Sequence, residues 1–227
     1  MIDSFREGVL VKPYERLNQE QIEALDKASL QILAEPGVWC YNERAAKLFQ
    51  SHGAQVAEEQ EKGGTVWRIR FPADLIKEAV AKAPSKLVLG ARTPENRLFL
   101  DAEVPRAYFG SGSEANIWIE TELEEFVSAS DGQTKVTLPR YKELRGNTRL
   151  LCRAAKLCDK LEHLDFFIRP LNIQDPEITN ANHDVNKFFA SLNNISKHVQ
   201  AGLTELDALP DIVRLGEIIA GGSEALR

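Results

Sequence analysis

The sequence predicts an α/β protein in which an N-terminal α+β region, residues 1–136, precedes a series of βα units, residues 137–227. Two observations predict the second region. The almost continuous apolar run Phe166–Leu171 is typical of a strand that is buried on both faces of a sheet. Helical and strand patterns then alternate to the end of the chain, which favours a parallel sheet with helical connections.

Composition places the chain among ordinary globular proteins and excludes several function classes. Of its 227 residues 43% are hydrophobic and 27% are charged, and the net charge is −6. This balance offers no basic surface for nucleic acid, and no run approaches the ~18 apolar residues of a membrane span. Asp3, Arg6 and Glu7 stand where a signal peptide needs its apolar stretch. The three cysteines lack zinc-site spacing. We expect a reduced, cytoplasmic protein with no metal, nucleic-acid or membrane partner.

Capping residues and turn glycines in the first region predict three helices and a hairpin. Asn18 with Gln21 three residues later resembles a capping box, and Pro36–Gly37 ends the helix that it begins. In chain order, the predicted elements are a helix to about Glu35, a helix over Glu43–His52, a hairpin over Gln55–Arg70 that turns at Gly63–Gly64, a helix after Pro72, and strands over Lys86–Gly90 and Leu98–Asp101.

A small polar segment, Gly110–Ser113, lies between the β-rich runs Ala107–Phe109 and Asn116–Ile119. Glycine permits positive φ and a close approach to the backbone, and serine hydroxyls both donate and accept hydrogen bonds. Two interpretations stay open, a β-turn between two strands or a surface that contacts a small molecule. The residues assigned to that surface are Tyr108, Gly110, Ser111 and Gly112.

The chain after this segment predicts one long helix and then the alternating units. The helix is expected from Thr137 to about Leu164, with Pro139 in its first turn and Gly146–Asn147 at a bend or close packing point. The acids before it lack the pattern of a calcium loop and fit a solvated face or loop. The later elements are a strand over Phe166–Leu171, a helix over His183–Asn194, a strand over Ser196–Gly202, and a helix capped by Thr204 that runs from Glu205 to about Ala220.

Arg169 interrupts the apolar run of the first predicted parallel strand. A buried guanidinium needs a partner, because an unpaired buried charge is costly. It could hold a substrate carboxylate or pair with an acid such as Asp165 or Asp175. The polar connection 170–182 leaves the C-terminal end of this strand, where open α/β sheets and barrels place their ligands. The candidate binding residues at this end are Phe167, Arg169, Asn172 and Gln200.

Several segments occur in a consistent order along residues 15–220. They are LNQEQIEALDKASLQILAEPGV, FPADLIKEAVAKAP followed by KLVLGARTPEN, AYFGSG, the predicted helix ending in LEHLDFF, and the SKHV strand. Together they resemble the trimethylamine methyltransferase family. The resemblance implies a TIM (β/α)8 barrel that takes a methyl group from trimethylamine or a related methylated amine, such as glycine betaine. It implies that the acceptor is a cobalamin (corrinoid) carried by a partner protein, and that the full-length protein is a homo-oligomer.

The same resemblance implies that the chain is the N-terminal portion of such an enzyme, with an incomplete barrel, since a whole barrel takes roughly 250 residues. The family's catalytic pyrrolysine, or the residue in its place, lies in the later half, so the catalytic residue is unknown here. The alternative is a truncated, non-catalytic fragment that acts only as a binding or interaction module. Aromatic faces would hold a methylated cation. The candidates are Tyr108, Phe109, Phe166 and Phe167, although a role in the core is sufficient to explain them.

Overall fold

The structure, a computed structural model, describes residues 4–128, 130–222 and 224, and it divides into two compact units. The first unit is Lys12–Ser85, and the second is formed by Met1–Val11 and Lys86–Arg227. The predicted domain boundary at residue 136 lies within a strand of the second unit. As a statement about domain organisation, that boundary stays a prediction.

The described residues form six α-helices and eleven strands. In chain order they are β1 Val9–Leu10, α1 Gln19–Ala34, β2 Val38–Cys40, α2 Glu43–Ser51, β3 Gln55–Glu61, β4 Gly64–Arg70, α3 Ala73–Ala81, β5 Lys86–Leu89, β6 Leu98–Asp101, β7 Arg106–Ala107, β8 Ile117–Val127, β9 Lys135–Arg145, α4 Thr148–Lys160, β10 Phe166–Ile168, α5 Asn180–Leu192, β11 His198–Gln200 and α6 Leu209–Ala220. The strands form several small sheets and, in the described part of the chain, no closed barrel. The mixed α/β class is confirmed, and the TIM barrel stays a prediction.

The first unit matches its predicted elements closely. Strands β2, β4 and β3 form an antiparallel sheet in that order, and Ile69 of β4 is completely buried against Ala46 and Ala54. The capping box at the start of α1 is present, because Asn18 Oδ1 accepts from Gln21 N while Gln21 Oε1 accepts from Asn18 N. Local signals sufficed here because each element is bounded by its own cap or turn.

The helix predicted from Thr137 to about Leu164 is wrong over residues 137–147. Residues Lys135–Arg145 form β9, which pairs antiparallel with β8 along its whole length. Pro139 is accommodated because β9 is an edge strand, where a proline removes no ladder hydrogen bond. The helix α4 begins at Thr148, and its N-cap is Asn147, whose side chain accepts from Leu150 N at 2.9 Å.

The core of the second unit lies between α4, α5 and the parallel pair β10–β11. Phe167 and Leu151 are completely buried in it, and Trp118 and Leu144 from the base of the β8–β9 hairpin pack against it. The register pairs Phe166 with His198 and Ile168 with Gln200, so the predicted parallel pairing is confirmed. Both strands therefore end at the same edge of the sheet, with Arg169 and Ala201 following them.

The start of the parallel pair is held by polar contacts within the protein. Lys197 Nζ donates to the carbonyl oxygens of Cys158 and Leu161, at 2.8 and 2.6 Å, and so binds the C-terminal end of α4. Burial, with the nearby charge of Arg6, lowers the pKa of Lys197. Asp165, just before β10, accepts from Arg6 Nε at 2.7 Å. These groups fix the N-terminal end of the pair, as expected of the end that serves stability.

Substituting Gly146 tests the packing between the hairpin and the chain after β10. A Cβ at this position would overlap the backbone oxygen of Asn172, which cannot retreat because Asn172 N donates to Ala115 O at 2.8 Å. We expect Gly146→Ala to lower the free energy of unfolding by about 1–3 kcal/mol, measured by urea denaturation. Gly90→Ala is the control, since its Cβ would meet nothing within 4 Å. Equal effects of the two substitutions would contradict the assignment.

Candidate functional site

The glycine-bearing segment runs alongside β10 and does not turn. Gly110 bridges Phe166 and Ala115 bridges Leu171, both in parallel orientation. Backbone hydrogen bonds from Glu114 N to Arg169 O, at 3.1 Å, and from Ala115 N to Pro170 O, at 2.9 Å, continue this contact past the end of β10. The β-turn interpretation of residues 110–113 is therefore wrong. The pairing is with a strand more than fifty residues later, which local sequence does not reveal.

Small side chains allow this close approach. A Cβ on Gly110 would overlap the ring of Phe166. The Ser111 hydroxyl takes the part of a strand backbone toward Ile168. Its Oγ accepts from Ile168 N at 2.9 Å and donates to Ile168 O at 2.6 Å. Strand β10 thus has a neighbour on each side, β11 on one and segment 110–115 on the other.

A cleft of about 260 Å³ opens where these three pieces of chain end. We call it the strand-end cleft, and it is lined by Ser113, Glu114, Ile168, Arg169, Gln200, Ala201 and Gly202. It lies at the C-terminal ends of β10 and β11, the edge at which parallel strands of α/β proteins present their ligands. Two of the predicted binding residues, Arg169 and Gln200, line it.

Arg169 is the charged group at the bottom of this arrangement, with a side chain only 4% exposed. Its Nη1 donates to Asn172 Oδ1 at 2.8 Å and to Leu171 O at 3.3 Å, and its Nη2 donates to Glu114 Oε1. Its Nε is buried without a hydrogen-bond partner among the described residues. The predicted partners Asp165 and Asp175 are wrong.

Both of those acids are used elsewhere in the second unit. Asp165 binds Arg6, and Asp175 Oδ2 accepts from the N–H and hydroxyl of Thr148, each at 2.8 Å. Asp165 precedes β10, and Asp175 contacts the first residue of α4. Arg169, by contrast, follows the C-terminal end of β10. Proximity in sequence therefore gave the wrong partner.

Glu114, which lines the strand-end cleft and pairs with Arg169, is the charged residue that the sequence analysis missed. Its side chain is 67% exposed although it neutralises a buried arginine. Its backbone has φ of 57°, the left-handed conformation that non-glycine residues seldom adopt. Such strain is often stored at binding and catalytic sites. One feature of the sequence could have indicated Glu114, since it is an acid that directly follows the glycine-serine segment. Its nearness to Arg169 becomes evident only when that segment is known to run along β10.

The loop after β11 is held by a buried ion pair on α5. Asp184 Oδ2 accepts from Thr204 N and Glu205 N, at 2.7 and 2.8 Å, and Lys187 Nζ lies 2.5 Å from Asp184 Oδ1. Burial opposes ionisation, but the Glu205 N–H, the Lys187 ammonium and the Thr204 N–H keep the pKa of Asp184 below its ordinary value. Thr204 was predicted to cap a helix, and this is wrong because α6 begins at Leu209.

The remaining predicted residues are placed apart from the cleft lining. The Tyr108 hydroxyl accepts from Phe99 N, and its single proton lies within reach of two backbone oxygens, Phe99 O at 3.0 Å and Arg6 O at 3.2 Å. Phe167 is completely buried in the core. Asn172 Oδ1 accepts from the guanidinium of Arg169 but is not part of the cleft lining, while Ser111 and Gly110 contact β10. The predicted role of the aromatic residues in binding a cation stays a prediction.

A larger cleft, of about 680 Å³, lies toward the N-terminal end of β10 and is lined in part by Arg6, Asn96, Phe109 and Asp165. Two of its charged groups, Arg6 and Asp165, bind each other, and Arg6 also donates to Asn96. Volume alone therefore does not make it the stronger candidate. The strand-end cleft is smaller but contains a buried guanidinium with one free donor, at the edge where ligands of parallel sheets bind.

Two negative findings apply to residues 4–128, 130–222 and 224. No group of three or more His, Cys, Asp or Glu side chains in these ranges could hold a metal ion. No helix in this part of the chain combines the length and apolarity that crossing a bilayer requires.

Comparison with known proteins gives a family match over nearly the whole chain. The family model described as trimethylamine methyltransferase (MTTB) matches residues 8–226. The chain is 27% identical to trimethylamine methyltransferase MttB of Desulfitobacterium hafniense, over 92% of this chain and 37% of that protein. It is 25% identical to trimethylamine methyltransferase MttB of Methanosarcina thermophila, over 79% of this chain and 32% of that protein.

A relative with a different substrate in its name matches more weakly. The chain is 20% identical to a glycine betaine methyltransferase of Desulfitobacterium hafniense, over 97% of this chain and 40% of that protein. The chain thus spans about a third to two-fifths of the length of the curated relatives that it matches.

The Asp184–Lys187 pair yields a test of how the loop after β11 is held. Asp184→Asn leaves the Lys187 ammonium buried without a counter-charge, and we expect a loss of about 3–5 kcal/mol in the free energy of unfolding. The double variant Asp184→Asn/Lys187→Met removes both charges and keeps an oxygen for the Thr204 and Glu205 N–H groups. It should regain most of that loss.

The pH dependence gives a second readout of the same pair. Because the pKa of Asp184 is lowered on folding, its ionised form stabilises the protein above its unfolded pKa of about 3.9. This contribution should disappear as the pH falls below about 4 in the wild type and be absent from the double variant. Equal stability of Asp184→Asn and wild type at neutral pH would contradict the assignment.

Proposed function

The chain belongs to the trimethylamine methyltransferase family, and we propose on this basis that it takes part in moving a methyl group from a methylated amine to a corrinoid protein. The corrinoid is held by the partner in this proposal, and when bound there it supplies the metal that accepts the methyl group. The residues of this chain bind and orient the amine. The observation that supports this assignment is the buried Arg169 in the strand-end cleft.

The cleft presents two opposite charges side by side. Arg169 is buried and is paired with Glu114, so a ligand that displaces Glu114 must bring a negative charge of its own. Glu114 is mostly exposed, so its carboxylate can leave at a cost lowered by solvent screening. A ligand carboxylate could then take its place on the guanidinium, where charge-assisted hydrogen bonds are strong.

A zwitterionic methylated amine satisfies both charges at once. Its carboxylate would bind Arg169, and the displaced Glu114 carboxylate would lie beside its methylated ammonium. A simple methylammonium would compensate Glu114 but leave Arg169 buried without an anion, which is costly. The arrangement therefore favours a betaine-type substrate for this chain over trimethylamine.

A second candidate function is a binding module that does not carry out methyl transfer. The lining of the strand-end cleft supports it, because Ser113 and Glu114 are its only side chains of the types that act as nucleophile or base, and Glu114 is paired with Arg169. Ligand binding by Arg169 is common to both candidates. Methyl transfer is what separates them.

Binding measurements on the intact chain test the proposed ligand class. We expect glycine betaine to bind and choline, which carries a hydroxyl in place of the carboxylate, to bind at least tenfold more weakly. Arg169→Gln should reduce glycine betaine affinity by about 10- to 100-fold, since hydrogen bonds to a charged group contribute about 1.5–3 kcal/mol. Isothermal titration calorimetry supplies both values.

Arg140→Gln is the matched control, because Arg140 is an exposed arginine paired with Glu124 on the hairpin. It should leave both affinities unchanged. Equal binding of choline and glycine betaine, or equal effects of the two arginine variants, would overturn the ligand class. Incubation with glycine betaine and a reduced corrinoid protein, followed by absorbance, then separates methyl transfer from binding alone.

A further inference from the structure

One donor of the buried Arg169 guanidinium has no acceptor. A guanidinium carries five N–H groups. Nη1 donates to Asn172 Oδ1 at 2.8 Å and to Leu171 O at 3.3 Å, and Nη2 donates to Glu114 Oε1. Nε is also buried, and it has no hydrogen-bond partner among the residues that the structure describes. Because buried polar groups are nearly always paired, this unused donor beside a cleft indicates a place for an acceptor that a ligand brings.

The unused donor belongs to the edge of the guanidinium that best matches a carboxylate. In the planar guanidinium, the Nε–H and one N–H of Nη2 point in the same direction and form a fork. A carboxylate that binds this fork side-on makes two parallel hydrogen bonds. Glu114 makes at most one of them, because its Oε1 accepts from Nη2 while Nε stays unpaired. The contact within the protein therefore leaves one charge-assisted hydrogen bond unmade.

The other end of the guanidinium is held by the chain that follows β10. Both acceptors of Nη1 are anchored there by Ala115, which bridges Leu171 and whose carbonyl oxygen accepts from Asn172 N at 2.8 Å. Rotation of the Arg169 guanidinium would break the bonds from Nη1 to these two residues. Nη1 is thus committed to the protein, and the Nε–Nη2 edge is the one left for a ligand.

We propose that a ligand carboxylate binds Arg169 side-on, through Nε and Nη2, and that Asn172 is the positioning residue that keeps this edge available. This mode rests on the proposed function, in which a ligand carboxylate displaces Glu114. Two hydrogen bonds then replace one, and the mostly exposed Glu114 carboxylate is released at low cost. The additional bond to Nε is what lets a dissolved ligand compete with a side chain tethered beside Arg169.

End-on binding through Nη1 and Nη2 is disfavoured by the same contacts. It would require Nη1 to give up Asn172 or Leu171, so the ligand would gain no net hydrogen bond at that atom. The side-on mode also accounts for the preference for a carboxylate over a hydroxyl, since a hydroxyl offers one neutral oxygen to a fork of two donors. Recognition therefore depends on the number of acceptor oxygens as well as on charge.

Nuclear magnetic resonance of the arginine Nε–H groups tests the side-on mode directly. The Arg169 signal is identified by its absence from Arg169→Gln. We expect glycine betaine to move the Nε–H proton resonance of Arg169 downfield, because a new hydrogen bond to a carboxylate forms there. Acetate, which has the carboxylate without the ammonium, should move it in the same direction at higher concentration.

The two ligands separate failure of this mode from failure of the proposed function. Glycine betaine that binds by calorimetry without moving the Arg169 signal would overturn the side-on mode and leave the proposed ligand class standing. If glycine betaine does not bind but acetate moves the signal, the ligand class is wrong and the side-on mode is supported. A signal that neither ligand moves would overturn the mode.

A double-mutant cycle tests the positioning role of Asn172. Asn172→Ala keeps the backbone bond to Ala115 but removes the side-chain acceptor of Nη1, and we expect glycine betaine affinity to fall by about 3- to 10-fold. In the Arg169→Gln background the same substitution should cause no further loss, because no guanidinium remains to be oriented. An additive loss there would mean that Asn172 acts on the loop itself and would overturn its role.

Two further variants complete the test, and circular dichroism checks the folding of each. Asn116→Ala is the matched control, because it removes the other side-chain contact of Asn172, from Nδ2 to Asn116 Oδ1 at 3.4 Å, and leaves the one to Arg169. It should leave the affinity unchanged. Arg169→Lys keeps the charge without the fork and should reduce the affinity by roughly tenfold or more. Wild-type affinity in Arg169→Lys or in Asn172→Ala would contradict the proposal.

Discussion

The buried charge of Arg169 is the constraint on which the geometry of the strand-end cleft depends. A guanidinium at the end of a central strand must be compensated, and no acid next to it in sequence does so. The compensation comes from segment 110–115, which reaches the end of β10 only because Gly110 and Ser111 let it lie against that strand. The close packing of Gly110 against β10 is therefore what allows Glu114, later in the same segment, to reach Arg169.

Elements bounded by their own caps and turns were predictable from sequence. The helix after Asn18 and the hairpin over Gln55–Arg70 have their signals within a few residues, and both were found, although the hairpin turns at residues 62–63, one residue earlier than predicted. The helix predicted from Thr137 failed because residues 137–145 pair with β8. In the prediction, the helical pattern that follows outweighed the strand-like spacing of Val136 and Leu138. The parallel pair β10–β11 was predictable because a strand buried on both faces has a continuous apolar sequence.

The candidate site was predictable only in part, for a physical reason. Arg169 stands out because charge inside an apolar run demands an explanation, and Gln200 follows from the register of a parallel neighbour. Glu114 could not be found in this way, because its role depends on contacts across more than fifty residues and its own surroundings are polar. The loop after β11 was misassigned for the same reason, since its N–H groups bind Asp184 on α5 instead of beginning a helix.

The left-handed backbone of Glu114 places two requirements at one position. Glycine there would relieve about 1–2 kcal/mol of conformational cost, yet it would remove the carboxylate from Arg169. Asparagine tolerates the conformation but carries no charge. Glycine or asparagine at this site would ease the backbone but leave the buried guanidinium without a counter-charge, which costs more than the backbone gains. Position 114 therefore has two conflicting requirements, a backbone conformation that suits glycine and a negative charge beside Arg169, and the residue present satisfies the second.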